Sequence, residues 1–122
     1  MAIHRIAFAS RDRITVGDHF GFADIYQIID LNKNGDVWIE AREVVSPRKS
    51  GEGHGISAFA RVVEALSDCE AIVVAKIGPE AARYVMRNHI RVFCASGNMQ
   101  DILDNILRNI VDDSDNAAPV II

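Results

Sequence analysis

The chain has 122 residues, 49% of them hydrophobic and 25% charged, and its formal net charge is −4. These values are typical of one globular domain and argue against nucleic acid or an acidic membrane surface as a partner. No apolar run approaches the ~20 residues of a membrane helix, and the N-terminus lacks the apolar core of a signal peptide, so we expect a cytoplasmic protein.

The first half of the chain is predicted to consist of strands and turns. Residues 4–10 form a short apolar stretch, and residues 24–31 are rich in β-branched and aromatic side chains, so both are expected to be strands. The dipeptide Asn34-Gly35 predicts a hairpin that returns as a third strand over residues 37–45. Residues 46–55 are rich in glycine and serine, which predicts a mobile loop.

The second half is predicted to alternate helices and strands. Apolar residues at helical spacing indicate an amphipathic helix over residues 56–67, and the continuous apolar run at 71–75 is typical of a strand covered on both faces. Gly78-Pro79 is a characteristic helix start, and Asn88 is expected to end that helix in a left-handed conformation.

A fifth strand over residues 90–94 leads into a last helix, whose apolar stripe runs from Met99 to Ile110. We expect residues 1–111 to form a single α/β domain and residues 112–122 to form a flexible acidic tail. The element order is βββαβαβα, in which strand–helix–strand crossovers imply parallel neighbours. We therefore predict a five-stranded mixed sheet in a ribonuclease-H-like arrangement, with strand order 3-2-1-4-5 and helices packed on it.

The loop at residues 16–22 is the strongest candidate for a binding site. Two glycines in it bracket His19 and Phe20, and glycine permits backbone angles that a plain connection does not need. The loop follows the first strand, and ligands of such sheets bind beyond the carboxyl ends of the parallel strands. The candidate ligand-binding residues are His19, Phe20, Gly21, Arg11, His54, Gly78 and Cys94, with His19 as the metal ligand.

Charge at this edge is predicted to suit an anion. Two helix starts, at Gly78-Pro79 and near Asn98, would direct free N–H groups there. Positive charge could come from Arg11, Arg13, Arg48, Lys49 and Lys76. Each candidate also has a plainer interpretation, in which His19 bonds to the backbone, His54 is a solvated loop residue and the arginines are solvated charges.

The two cysteines, Cys69 and Cys94, limit what the chain can bind. They are too few for a disulfide framework, a four-thiolate zinc site or a four-cysteine iron–sulfur site. Cys69 stands directly before a buried strand and is expected to be a small packed residue, whereas Cys94 ends a strand at the predicted binding edge. A bound cluster would therefore not be fully ligated by thiolates of this one chain.

Taken together, the residues resemble the dinitrogenase iron–molybdenum cofactor-binding family, which includes NifX-like proteins and the C-terminal domain of NifB. The segments that carry the resemblance are residues 6–10, 16–21, 53–55, 66–71, 77–82 and 90–93. The resemblance implies a ribonuclease-H-like fold and non-catalytic binding of an iron–molybdenum cofactor, its precursor or a related molybdenum–sulfur cluster. It also implies that His19 is the natural ligand candidate and that a cofactor-donor or cofactor-acceptor protein is a partner.

The resemblance has limits, and two alternatives stay open. The junction at Asn88-His89 departs from the family, which often has glycine there, and the chain has no three-cysteine radical-SAM motif. One alternative is a ribonuclease-H-like nuclease that holds two metal ions on carboxylates such as Asp12, Asp18 and Asp24. The other is a regulatory or interaction module that has kept the fold without the ligand.

Overall fold

A computed structural model describes residues 3–49, 56–110 and 119–121 of the chain. Within these ranges the chain forms one large sheet, one two-stranded ribbon and three helices. The strands are β1 (His4–Ala9), β2 (Thr15–Val16), β3 (Ile25–Asn32), β4 (Gly35–Glu43), β5 (Ala71–Val74), β6 (Arg91–Cys94), β7 (Gly97–Asn98) and β8 (Val120–Ile121), and the helices are α1 (Ile56–Ala65), α2 (Pro79–Arg87) and α3 (Met99–Ile110).

The large sheet has the order β4-β3-β1-β5-β6-β8. β1 is antiparallel to β3 and parallel to β5, so it joins the antiparallel hairpin β3–β4 to the parallel half of the sheet. The mixed α/β class is as predicted, and the five predicted strands are neighbours in the expected order. The sheet nevertheless has six strands rather than five, since Val120–Ile121 pairs in parallel with β6.

This sixth strand lies in the segment that was predicted to be a flexible acidic tail. Residues 111–118 lie outside the described residues, but Val120 packs against the hydrophobic core and Ile121 pairs with Cys94. Val120 is partly buried, and burial of apolar surface contributes to offsetting the entropy lost when this strand is ordered.

Helices cover both faces of the sheet. On one face, α1 and α2 bury Phe59, Val62 and Val85 against a layer of sheet residues that includes Ile28 and Ile72. On the other face, α3 alone packs on the sheet through its apolar stripe, which consists of Met99, Ile102, Leu103 and Ile106. All four residues of β5 are buried, as expected for a strand between two helical layers. No helix in the described ranges is long and apolar enough to span a membrane.

The ribbon β2–β7 was not predicted. Thr15 pairs with Asn98 and Val16 with Gly97, so the residues just before the His19 loop are tied to the start of α3. Met99 strengthens this tie, because its backbone N–H donates to the carbonyl oxygen of Ile14 at 2.7 Å. A pairing of two residues is too short to produce a hydrophobic period in the sequence.

The end of α2 differs in detail from the prediction. Asn88 has φ −95° and is not left-handed, whereas His89 has φ +66°. The side-chain amide of Asn88 donates to the carbonyl oxygen of Tyr84 at 2.8 Å, so Asn88 caps the helix with its side chain. The left-handed turn therefore falls one residue later.

Candidate functional site

The His19 loop is bonded to the carboxyl end of β5. His19 and Lys76 form an isolated parallel β-bridge, in which the N–H of Phe20 donates to the carbonyl oxygen of Lys76 at 2.8 Å. On the other side of the bridge, the N–H of Ala75 donates to the carbonyl oxygen of Asp18 at 2.9 Å. The loop is thus an added backbone segment of the sheet edge rather than a free connection.

The loop holds its backbone rigidly while it exposes the imidazole. The N–H groups of Phe22 and Ala23 both donate to the carbonyl oxygen of His19 at 3.0 Å, which closes a tight turn. Phe20 is buried and packs against Phe59 of α1 with ring centroids 6.1 Å apart. The side chain of His19 is exposed between these fixed points. A histidine held in this way can bind a metal without ordering its own loop.

His19 lines a cavity of about 560 Å³. Its walls come from the His19 turn, from the segment after β4, from α1 and from the start of α2. The lining residues are His19, Phe20, Gly21, Phe22, Pro47, Arg48, Phe59, Lys76, Ile77, Gly78, Pro79, Glu80 and Ala81. Among the predicted site residues, the structure therefore brings together His19, Phe20, Gly21 and Gly78.

Two cations line this cavity without acidic partners in the described part of the chain. Among the described residues, no carboxylate lies within ion-pair distance of Lys76 or of Arg48, and the guanidinium of Arg48 lies 4.8 Å from the ring centroid of Phe22. α2 begins beside them at Pro79, and no side chain caps its N-terminal N–H groups. Glu80 is the acidic residue of the lining, so cations and helix dipole together favour an anionic ligand.

Arg11 does not line the cavity. Its guanidinium Nη2 lies 2.6 Å from Oδ1 of Asp24, and its Nε lies 3.8 Å from Oδ2 of Asp18. Burial raises the pKa of Asp24, but Lys49 and Arg11 outweigh that effect and keep the pKa below its ordinary value. The charge of Arg11 is thus paired within the protein. Of the five cations predicted to add positive charge, Arg48 and Lys76 line the cavity.

Neither thiol lines the cavity that His19 lines. Cys94 lines a neighbouring cavity of about 340 Å³, which shares Lys76 and Ile77 with the first cavity. Burial raises the pKa of the Cys94 thiol. Cys69 is buried before β5, at the opposite end of the sheet, and burial raises the pKa of its thiol to about 12. At both positions burial disfavours the thiolate, which is the form that binds a metal. His54 lies outside the described residues.

The apolar wall of the cavity was not recognised in the sequence. Phe59 lies in the apolar stripe of α1, where it looks the same as any other core residue. Phe22 is exposed, and its ring contacts the guanidinium of Arg48. The two residues are far apart in the sequence, so no local pattern predicts this contact. Arg13, which was expected to add charge at the site, instead lies 4.0 Å from the ring centroid of Trp38.

Solved structures share this fold. PH0822 superimposes with a TM-score of 0.65 at 20% identity, covering 86% of this chain and 90% of that protein. A Thermotoga protein of the DUF35 family superimposes with a TM-score of 0.54 at 18% identity, covering 86% and 88% of the two chains. At these identities the likeness concerns the fold alone.

Sequence comparison adds the family. FeMo cofactor biosynthesis protein NifB of Herbaspirillum seropedicae is 33% identical over 73 residues, which is 60% of this chain and 14% of that protein. The chain thus corresponds to a small part of its curated relative. Fold and site define a small α/β domain with a cation-lined cavity at the carboxyl edge of its sheet. Residues 2–109 match the dinitrogenase iron-molybdenum cofactor family, and the chain belongs to that family.

Proposed function

We propose that the protein is a non-catalytic carrier that binds an iron–molybdenum cofactor, its precursor or a related molybdenum–sulfur cluster. The observation that carries this proposal is the exposed side chain of His19, a residue that lines the cavity and whose backbone is bridged to Lys76. Family membership indicates which kind of metal cluster to expect. The position of His19 in the cavity supplies the reason why such a cluster would be held here.

The residues of the cavity suit a cluster that brings its own sulfide ligands. The described lining residues offer one imidazole and no thiol, so the protein would add one ligand to a cluster that already has its own sulfide ligands. Lys76 and Arg48 would offset the negative charge of the cluster, and the volume of about 560 Å³ admits a ligand of several metal and sulfur atoms. Attachment through one side chain would leave the cluster transferable to an acceptor protein in the cytoplasm.

The nuclease alternative has no observation that favours it. Asp12 accepts hydrogen bonds from the N–H groups of Ile14 and Thr15 at 2.9 and 2.8 Å, so its carboxylate holds the loop after β1. Asp18 and Asp24 lie next to Arg11. A pair of catalytic metal ions needs free carboxylates that converge on one point. Among the described residues, no three carboxylate, histidine or cysteine side chains are grouped so that they could hold a metal ion.

The proposal can be tested with tetrathiomolybdate and with isolated iron–molybdenum cofactor. Each is added anaerobically to the purified protein, and binding is followed by visible absorption and by equilibrium dialysis. His19→Asn removes the imidazole, and His89→Asn makes the same change at an exposed histidine remote from the cavity, with a residue that tolerates positive φ. We expect His19→Asn to weaken binding at least ~tenfold and His89→Asn to leave it unchanged.

Two outcomes would count against the proposal. Equal affinity of His19→Asn and wild type for both probes would remove His19 as the ligand. Failure of the wild-type protein to bind either probe would contradict the carrier function itself.

A further inference from the structure

β4 is a long edge strand with an exposed apolar centre. It has nine residues, and only β3 pairs with it in the described part of the chain. At its centre, Val37 is 60% exposed, Trp38 41% and Ile39 38%. The opposite edge of the sheet is the two-residue strand β8. Proteins rarely leave consecutive apolar residues on an open edge, because its unpaired N–H and C=O groups invite another strand.

The ladder between β3 and β4 strengthens this point. Its register shifts between Ile28 and Ile29, which pair with Glu40 and Trp38, so that Ile39 has no partner on β3. Trp38 shares a face of the sheet with Ile29 and lines a groove of about 310 Å³ beside α3. Its indole N–H donates to Oε1 of Gln27 at 2.8 Å, and its ring is therefore held in place.

We propose that β4 pairs antiparallel with β4 of a second copy of this chain, around a two-fold axis that passes beside Trp38. In this register Trp38 lies opposite Trp38 of the second copy, and Val37 lies opposite its Ile39. The apolar centre of the strand is thus complementary to itself, as a two-fold interface requires. The two large sheets become one continuous sheet.

Charge at the ends of the strand fits the same register. Glu43 is the last residue of β4 and Lys33 lies in the turn that precedes β4, each five residues from Trp38. In this register the lysine of one copy therefore lies near the glutamate of the other. Neither side chain has an ion pair among the described residues of its own chain. Asp36 comes opposite Glu40, whose carboxylate already lies 2.6 Å from Nη2 of Arg42, so its charge is offset within its own chain.

The pairing is compatible with the proposed function but independent of it. No residue of β4 lines the cavity of His19. A dimer formed through β4 therefore leaves both cavities accessible. A protein that dimerises without binding a cluster, or binds a cluster as a monomer, separates the two proposals.

Sedimentation velocity of the purified chain over a wide concentration range tests the dimer. We expect a monomer–dimer equilibrium that Ile39→Lys weakens at least ~tenfold. Ile3→Lys is the matched control, because Ile3 is 61% exposed and lies outside β4, and it should leave the equilibrium unchanged. Trp38 is the only tryptophan of the chain, so its emission should shift with concentration in parallel with dimer formation.

A charge exchange tests the register. Lys33→Glu and Glu43→Lys should each raise the dimer dissociation constant about threefold or more, and the double variant should return it towards the wild-type value. A wild-type protein that stays monomeric up to about 1 mM would overturn the dimer. Dimerisation that Ile39→Lys leaves intact would overturn the role of β4, and absence of recovery in the double variant would overturn this register.

Discussion

His19 and Lys76 lie opposite each other in a parallel bridge that ties the candidate metal ligand to the segment between β5 and α2. The same backbone contact therefore places the backbones of a histidine and a lysine side by side. A ligand that binds His19 approaches the charges of Lys76 and Arg48 at once. This coupling of a nitrogen donor to two cations is the main electrostatic feature of the cavity.

Reversal of these charges should weaken the binding of tetrathiomolybdate. We expect Lys76→Glu and Arg48→Glu each to reduce affinity by up to ~tenfold, since an exposed ion pair is worth up to ~1 kcal/mol and reversal adds repulsion. Added salt should weaken wild-type binding more than binding by the variants. Lys33→Glu, on the turn between β3 and β4, makes the same change in net charge and should have little effect. An equal loss with Lys33→Glu would show that net charge alone matters.

Local patterns predicted the elements that place the site. The apolar run of β5 and the Gly78-Pro79 helix start locate the carboxyl edge of the sheet, and the rule that ligands bind at this edge brings His19 close to Gly78. Contacts between residues distant in sequence could not be predicted from local patterns. Asp24 pairs with Arg11, and β8 pairs with β6 through two residues, and neither contact produces a sequence period.

Gly97 should stabilise the β2–β7 ribbon. Gly97 has φ +116°, a region in which a side chain is strained, so we expect Gly97→Ala to lower the free energy of unfolding by about 1–2 kcal/mol. Gly17 provides the control, since a Cβ there would meet no heavy atom within 4 Å. Gly17→Ala should be neutral or stabilising by up to ~1 kcal/mol. Urea denaturation measures both, and equal effects would contradict the argument.

Removal of the Tyr26 hydroxyl should not destabilise the protein. Tyr26 is fully buried, and its hydroxyl has no hydrogen-bond partner among the described residues. Burial, together with the charge of Asp18, raises the pKa of Tyr26. A buried hydroxyl without a partner loses its hydrogen bonds to water on folding and gains none in the protein. Tyr26→Phe should therefore leave the free energy of unfolding unchanged or raise it by about 1 kcal/mol.

Tyr84→Phe is the control for this comparison, because Tyr84 is only half-buried and loss of its hydroxyl should matter by less than ~0.5 kcal/mol. Urea denaturation with an unchanged slope would show that only stability has changed. A loss of more than ~1 kcal/mol in Tyr26→Phe would mean that the hydroxyl makes a stabilising hydrogen bond.

Asp68 should make stability depend on acid. Its carboxylate accepts hydrogen bonds from Arg42 at 2.7 and 3.2 Å and from Arg5 at 3.1 Å, which joins the β3–β4 hairpin and β1 to the segment before β5. The hydrogen bonds from Arg42, then those from Arg5, hold the pKa of Asp68 well below its usual range. The unfolded chain therefore takes up the proton first, so this contribution is complete above about pH 4 and is lost as the pH falls further.

Asp68→Asn should thus lower the free energy of unfolding at pH 7 by about 1 kcal/mol, a value discounted for the partial exposure of the carboxylate. The difference from wild type should shrink as the pH falls below about 4, because wild type then loses the same charge. Asp104→Asn is the control, because Asp104 is exposed on α3 and has no ion pair among the described residues. The free energy of unfolding of this variant should change with pH in the same way as that of wild type. Denaturation curves at several pH values decide the matter: a constant gap between Asp68→Asn and wild type would show that the carboxylate acts through packing and not through its charge.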